Sequence, residues 1–213
     1  MINQERIKNL LLELVQIDSI SRKERDVAER IKKYCEEMGA HVEIDDAGAK
    51  VGGNSGNVLA RFPGTLPHAE PIMMSAHMDT VVPGEGVKPI IEGDIIRSDG
   101  TTVLGGDDKS GCAVIIETIR CLQEQNIPHT PIEAIFSICE EVGLLGAKHV
   151  DVSKLKAKYG LVFDSDDVGF LFTRGPSANH MEFRIYGLES HAGVAPEDGI
   201  SAIKIAAEAI AAM

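Results

Sequence analysis

The stretch that decides the fold is Pro71-Ile72-Met73-Met74-Ser75-Ala76-His77-Met78-Asp79, an almost unbroken apolar run that ends in polar side chains. An apolar run without alternation is typical of a strand that is buried on both faces of a sheet. Similar runs occupy residues 131–137 and 159–163. Helical patterns separate the runs along the chain, so the sequence predicts an α/β domain built on a central sheet.

Shorter elements complete the prediction. Asn3 is expected to cap a first helix that ends at residues 17–19, and Gly39 is expected to end a second helix over 23–38. The remaining expectations are strands at 41–44 and 57–62, a loop at 48–56, a hairpin at 90–96, and helices at 109–124 and 144–149.

The pattern changes after about residue 175. Residues 178–186 alternate between polar and apolar, which predicts a strand with one wet face, and the Ala- and Ile-rich residues 199–213 predict a helix. We therefore expect a first domain over 1–175 and an incomplete second domain over 176–213.

Composition and charge restrict the partners. The 213 residues carry a formal charge of −12, which argues against nucleic acid and acidic lipid surfaces. No apolar run approaches the roughly 20 residues that cross a membrane, and the start lacks the layout of a signal peptide. The four cysteines form no Cys-x-x-Cys pair, so we expect buried, reduced thiols and a cytoplasmic protein without a zinc finger.

Four polar clusters each follow a predicted buried strand or open the helix behind it. In open α/β sheets, sites form at the carboxyl ends of strands, so these clusters are expected to converge. The clusters are His77 with Asp79, Asp107 with Asp108, Glu140 with Glu141, and the acidic residues 164–167.

Each cluster has a purely structural alternative. His77-Met78-Asp79 alone is more often a polar turn, and an Asp at a helix start is often a cap. Glu140 and Glu141, however, are adjacent carboxylates at a strand end, and a cation would offset their repulsion. One histidine and several carboxylates suit Zn²⁺, with Co²⁺ or Mn²⁺ as alternatives.

Other kinds of catalytic or phosphate-binding site are excluded because their sequence motifs are absent. The chain contains neither His-Glu-x-x-His nor the nucleophile elbow Gly-x-Ser-x-Gly. Lys109-Ser110 lacks the preceding Gly-x-x-x-x-Gly of a phosphate loop, and Asp107 and Asp108 would repel phosphate.

The ordered set of motifs resembles the metal motifs of the M20 metallopeptidases, in particular their peptidase T-like branch. The matching segments are His77-Met78-Asp79-Thr80, Gly106-Asp107-Asp108-Lys109-Ser110-Gly111, Glu140-Glu141-Val142-Gly143, Phe163-Asp164 and Gly187-Leu188-Glu189-Ser190-His191-Ala192-Gly193. Any single motif is weak, whereas the ordered set covers essentially the whole chain and is highly specific.

The resemblance implies a site for two zinc ions. His77 and Asp164 would hold one zinc, Glu141 would hold the other, and Asp107 would bridge them, with a cis peptide bond after it. The resemblance also implies that Asp79 orients His77.

Two further roles follow from the resemblance. Glu140 would be the general base that takes a proton from the water at the metal site. His191 would contact the substrate from the second domain, although a surface histidine is the structural alternative.

The implied fold is a phosphorylase/hydrolase-like, three-layer zinc-exopeptidase catalytic domain with a mixed central sheet, followed by the start of an α/β lid domain. Family members continue further and return to the catalytic domain with a last histidine ligand. This chain would be truncated within the lid domain, so we expect the second zinc to bind weakly or not at all. A homodimer through the lid domain is a further expectation.

The expected function is therefore that of a metal-dependent aminopeptidase of the tripeptidase kind, with short peptides as substrates. Two alternatives stay open. One is a related amidohydrolase, such as an acyl-amino-acid deacylase, or a carboxypeptidase. The other is a catalytically inactive fragment that binds at most one metal.

Overall fold

The chain divides into two compact units. The computed structural model describes residues 2–66, 68–165, 168–175, 177 and 181–213. One unit is Met1–Asp166 and the other is Asp167–Met213. The division comes before the boundary that the sequence predicts, at residues 175 and 176. The roles of the two parts as catalytic and lid domains stay a prediction.

The first unit contains a mixed sheet and a separate hairpin. Its strands are β1 (His41–Ile44), β2 (Val58–Phe62), β3 (Ile72–His77), β4 (Pro89–Glu92), β5 (Ile95–Ser98), β6 (Ile132–Ser137) and β7 (Gly160–Val162). The helices of the chain are α1 (Gln4–Val15), α2 (Arg25–Glu37), α3 (Ala47–Val51), α4 (Gly106–Glu124) and α5 (Ala202–Ala211).

Five strands form the central sheet, in the order β1-β2-β6-β3-β7. β3 runs parallel to β6 and β7, whereas β2 is antiparallel to both β1 and β6. His77, the last residue of β3, pairs in register with Ser137, the last residue of β6. The residues that follow these two strands therefore leave the sheet side by side, and the predicted α/β class with a mixed sheet is confirmed.

One face of the sheet carries the main core. Alternate residues of a strand share a face. In β6 these are Ile132, Ala134 and Phe136, which are buried in one cluster with side chains of α1, α2 and α4. The opposite face holds Glu133, whose carboxylate accepts the main-chain N–H groups of Lys156 and Ala157. The helices thus fix β3 and β6 from one side.

Several predicted elements are confirmed. Asn3 caps α1, because its Oδ1 accepts the Arg6 N–H at 3.0 Å. β4 and β5 form the predicted hairpin, with Ile91 opposite Ile96. α4 begins at Gly106, earlier than predicted. Its first residues form a kinked entry turn, because Asp107 and Asp108 have non-helical φ and ψ.

Two predictions between the strands are wrong. The predicted loop at 48–56 contains α3, which starts where Asp45 Oδ1 accepts the Ala47 N–H and ends at left-handed Gly52. The predicted helix at 144–149 is only a 3₁₀ turn over Ala147–His149. Leu144 has φ +59° and follows Gly143 at φ +105°, and two left-handed residues in succession cannot start a right-handed helix.

The predicted buried strand at 159–163 is also corrected. β7 covers only Gly160–Val162, and all three of its residues are exposed. β7 lies at the edge of the sheet and pairs with β3. The apolar run at 159–163 resembles that of a central strand, but the edge position of β7 leaves Val162 65% exposed.

In the second unit, the predicted strand at 178–186 is not confirmed. Its residues 178–180 lie outside the described residues, and 181–186 form no strand. Leu188 and Ile200 form an isolated antiparallel bridge. The predicted helix is present as α5, capped by Ser201 Oγ, which accepts the Lys204 N–H, and none of its described residues is buried.

The four cysteines are buried, as predicted, and none of them is part of a disulfide in the described structure. In the described parts of the chain, no helix combines the length and apolar character that a membrane crossing requires.

Candidate metal centre

The predicted ligands meet at the carboxyl end of β3. His77 Nε2 lies 2.9 Å from Asp107 Oδ1, 3.8 Å from Glu140 Oε2 and 3.9 Å from Asp164 Oδ1. The three carboxylates come from the start of α4, the turn after β6 and the residues after β7. The structure therefore brings together side chains from all four of the clusters that the sequence predicts to converge.

Two groups of donor atoms are close enough to hold an ion. His77, Asp107 and Asp164 form one group, and His77, Glu140 and Glu141 form the other. Within each group the ligand atoms lie within 4.8 Å of one another. Both groups use the same imidazole, that of His77.

The centre is buried on one side and open on the other. The His77 side chain is 2% exposed, whereas that of Asp107 is 71% exposed. A cavity of about 380 Å³ lies over α4's entry turn, lined by Gly106, Asp107, Asp108, Ser110, Phe163, Asp164 and Ser165. A small substrate can reach the carboxylates from this side.

Asp108 connects the entry turn of α4 to β3. The peptide bond between Asp107 and Asp108 is cis, as the resemblance implied. Asp108 is buried, and its two oxygens accept the N–H groups of His77 and Gly111, each at 3.1 Å. Burial raises the pKa of Asp108 to about 7. Asp107 is left to face the open cavity, so the two adjacent carboxylates have different roles.

Lys109 extends this anchoring. It is 1% exposed, and its Nζ donates to the main-chain oxygen of Ile17 at 2.7 Å. Burial lowers the pKa of Lys109 to about 8. The sequence showed Lys109 beside two carboxylates, but it gave no sign that the ammonium group turns away from them.

Asp79 supports both the imidazole and the glutamate pair. The acceptor nearest to His77 Nδ1 is the main-chain oxygen of Asp79, at 2.9 Å, while the carboxylate Oδ1 lies at 3.5 Å. The carboxylate itself accepts Ser21 Oγ–H at 2.6 Å, the Glu140 N–H at 2.9 Å and the Glu141 N–H at 3.3 Å. The sequence analysis did not identify Ser21, because it resembles an ordinary residue of a connection between helices.

The charges of the cluster shift its pKa values. Burial lowers the pKa of His77, but the hydrogen bond and charge of Asp79, with Asp108 and Asp164, outweigh it and raise the pKa to about 10. Burial raises the pKa values of Glu140 and Glu141, and neighbouring carboxylates add to the effect. Without a cation, His77 therefore stays protonated at neutral pH.

Replacing Asp79 with alanine is expected to weaken metal binding to the site with a neutral His77 by roughly 10–100-fold, because partners that orient a metal ligand contribute about this much. The change removes three acceptor contacts and the carboxylate that lies 3.5 Å from His77 Nδ1. Isothermal titration with Zn²⁺ would measure it. Asp99→Ala is the control, because Asp99 is half-buried and its side chain bonds only within its own turn in the described structure. Equal losses in both variants would contradict this role.

His191 belongs to the second unit. It lies in an exposed turn, where its Nδ1 accepts the Gly193 N–H at 3.2 Å. Its predicted contact with the substrate stays a prediction.

Comparisons with known proteins show the family of this chain. Residues 57–179, which contain every predicted ligand, match the model for peptidase family M28. This chain belongs to that peptidase family. It is 44% identical over 214 residues to the uncharacterized protein YqjE of Bacillus subtilis, covering 100% of this chain and 57% of the relative. Its identity to peptidase T of Escherichia coli is 32% over 211 residues, covering 83% of this chain and 50% of the relative.

Solved structures show the same relationship for this peptidase T-like chain. The aminopeptidase PepT of Bacillus cereus is 42% identical with a TM-score of 0.83, and a Staphylococcus aureus tripeptidase is 35% identical with a TM-score of 0.86. Each comparison covers 100% of this chain and 57% of the other. The predicted relationship to peptidase T-like metallopeptidases of the M20 and M28 group is confirmed, and the chain spans about half the length of these relatives.

Proposed function

We propose that this chain carries the catalytic residues of a metal-dependent exopeptidase that removes the amino-terminal residue from short peptides. The observation that carries the proposal is the convergence of one imidazole and three carboxylates on the open end of β3. The names of the solved relatives, an aminopeptidase and a tripeptidase, support this substrate class over an acyl-amino-acid deacylase or a carboxypeptidase.

The donor set fits zinc. His77, Asp107 and Asp164 would hold one ion. Glu141 would help to hold a second, as the resemblance implies. Nitrogen and carboxylate oxygen suit Zn²⁺, and Co²⁺ or Mn²⁺ can take the same donors. The carboxylates surround a buried imidazole and raise its pKa, so the site attracts positive charge. When bound, the metal would supply Lewis acidity, which polarises a peptide carbonyl and makes water a better nucleophile.

Glu140 is suited to move the proton. Its side chain is 26% exposed, so solvent reaches it, while its main-chain N–H is anchored on Asp79. Burial raises the pKa of Glu140 and brings it closer to neutrality, which favours a group that first accepts a proton and then returns it to the leaving amine. Asp79 holds the histidine and the glutamate pair in one arrangement.

One observation favours a second candidate, an inactive fragment that binds at most one metal. Both candidate ligand groups depend on His77, and a single Nε2 cannot serve two ions. In this case the peptidase activity belongs to a longer relative or to an assembly, such as a homodimer through the second unit. We place either form in the cytoplasm, with short peptides as partners and no nucleic acid or membrane.

The deciding experiment combines metal content with hydrolysis of a tripeptide in the presence of added zinc. Two metals per chain with turnover support the aminopeptidase, whereas one metal or none without turnover supports the inactive fragment. A tripeptide with an acetylated amino terminus is the matched substrate control. An aminopeptidase should reject it, and a deacylase or carboxypeptidase should cleave it.

A further inference from the structure

The segment that carries the two glutamates is held by side chains. Residues 138–141 directly follow β6, and buried side chains accept all four of their successive main-chain N–H groups. The bonds are Ile138 N to Asn57 Oδ1 at 3.1 Å, Cys139 N to Glu24 Oε1 at 3.1 Å, Glu140 N to Asp79 Oδ1 at 2.9 Å, and Glu141 N to Asp79 Oδ2 at 3.3 Å. The direction of the glutamate side chains therefore depends on three acceptors that lie elsewhere in the sequence.

Cys139 is the point at which this segment turns. Its φ of +52° lies in the left-handed region, which is unfavourable for a residue with a side chain and persists only where the surroundings impose it. Glu24 supplies part of that constraint. Its Oε1 accepts both the Cys139 N–H at 3.1 Å and the Cys139 thiol at 3.3 Å.

The same oxygen atom also fixes a second left-handed residue. Glu24 Oε1 accepts the Arg22 N–H at 2.8 Å, and Arg22 has φ +76°. One carboxylate thus connects the approach to α2 with the turn after β6. Burial and the nearby Glu24 raise the pKa of Cys139 to about 12, so its thiol keeps the hydrogen that it donates.

This arrangement of Glu24 has an energetic cost. Glu24 is completely buried, and its Oε2 has no hydrogen-bond partner in the described structure. A buried oxygen without a hydrogen bond destabilises the fold, so its presence calls for an explanation.

We propose that Glu24 is a positioning residue for the Glu140–Glu141 pair, and that it acts by holding Cys139 in the left-handed conformation that directs both carboxylates to His77. The inference rests on the proposed function, because it assigns Glu24 a role in building the metal centre. Nothing in the sequence indicates this role, since Glu24 lies among charged residues at a helix start, where side chains are usually solvated.

The test uses the full chain with Glu24→Ala, and it has two readouts. The first is hydrogen exchange of the main-chain amides of residues 139–141 in metal-free protein, which we expect to be at least about 10-fold faster. The second is the affinity for Co²⁺, followed by its visible absorption, which we expect to fall roughly 10–100-fold. Glu24→Gln retains an acceptor oxygen and should stay within about threefold of the unchanged protein in both readouts.

Glu117→Ala is the matched control. Glu117 is also a buried glutamate, 1% exposed, but its oxygens accept from Asn3 and Arg6, away from the metal centre. This variant should lose stability without a change in Co²⁺ affinity or in the exchange of residues 139–141. If Glu24→Ala does not fold, Glu24→Asp serves instead, because it keeps the carboxylate but withdraws it from Cys139.

The outcomes separate the two proposals. Unchanged exchange of Glu140 and Glu141 in the Glu24 variants would overturn the positioning role, and so would affinity losses equal to those of Glu117→Ala. If the unchanged chain binds no metal at all, the proposed function fails, while the exchange of residues 139–141 still decides whether Glu24 holds the turn.

Discussion

Replacing Glu140 with glutamine is expected to lower the turnover of a tripeptide by roughly 10²–10⁴-fold, the usual contribution of a general acid–base group. The amide has nearly the same shape but cannot accept a proton from water. The main-chain anchor on Asp79 is unaffected, because it uses the Glu140 N–H. Metal content should therefore stay the same. Steady-state kinetics and elemental analysis on the same preparation would measure both quantities.

Glu141→Gln is the matched control for this prediction. Glu141 is the neighbouring residue and its N–H is anchored on the same Asp79 carboxylate, at 3.3 Å. Its proposed role is to bind metal, so its replacement should lower metal content together with turnover. The pair of variants thus separates loss of proton transfer from loss of the ion.

The geometry makes this comparison necessary. Glu140 and Glu141 both belong to the donor group around His77, so distance alone does not decide which one is the ligand. If Glu140→Gln loses bound metal and Glu141→Gln keeps it, Glu140 is the metal ligand and Glu141 is the general base. If Glu140→Gln keeps its turnover, Glu140 is not the general base.

The sequence predicted the site better than it predicted the edges of the fold. His77, Asp107, Glu140 and Asp164 could be predicted to converge because each cluster follows a buried strand or opens the next helix, and parallel strands end at the same edge of a sheet. The roles assigned to them came from the resemblance. The structure places the side chains together, and their individual roles stay predictions.

The errors have a common physical cause. The run at 159–163 is as apolar as a central strand, yet β7 lies at the edge of the sheet, and local pattern does not encode strand order. Leu144 takes a left-handed conformation that its side chain gives no reason to expect. Both depend on contacts with residues far away in the chain.

The supporting residues could not be found for the same reason. Ser21, Glu24 and Asn57 are polar residues near helix or strand starts, where such residues usually meet solvent or cap a turn. They become significant only because the fold places Asp79 or residues 138–139 beside them. Sequence motifs therefore identify the groups that bind an ion more readily than those that hold its ligands in place.

The metal affinity of this chain is expected to rise about tenfold per pH unit between about pH 6 and about pH 9, roughly a thousandfold in total. The pKa of His77 is raised to about 10, so the metal-free imidazole is protonated throughout this range. A metal ion binds only the neutral ring, and binding must release that proton. Calorimetry in buffers of different ionisation enthalpy would count it directly, at close to one proton per ion from His77.

Asp79→Ala is the control for this pH dependence. Asp79 makes the largest favourable contribution to the raised pKa of His77, so its removal should lower that pKa and flatten the affinity profile at the alkaline end. The prediction fails if the unchanged protein shows constant affinity above about pH 6.5, the ordinary histidine value, because His77 would then already be neutral.

The stability of the metal-free protein should change in the opposite direction. A histidine whose pKa is raised on folding contributes stability that is fully present below its unfolded value, about 6.5, and is lost as the pH rises through about 10. Bound metal stabilises the fold more strongly as its affinity rises. The difference in Tm between metal-loaded and metal-free protein should therefore widen from pH 6 to pH 9, and a constant difference would show that protons and metal do not compete for His77.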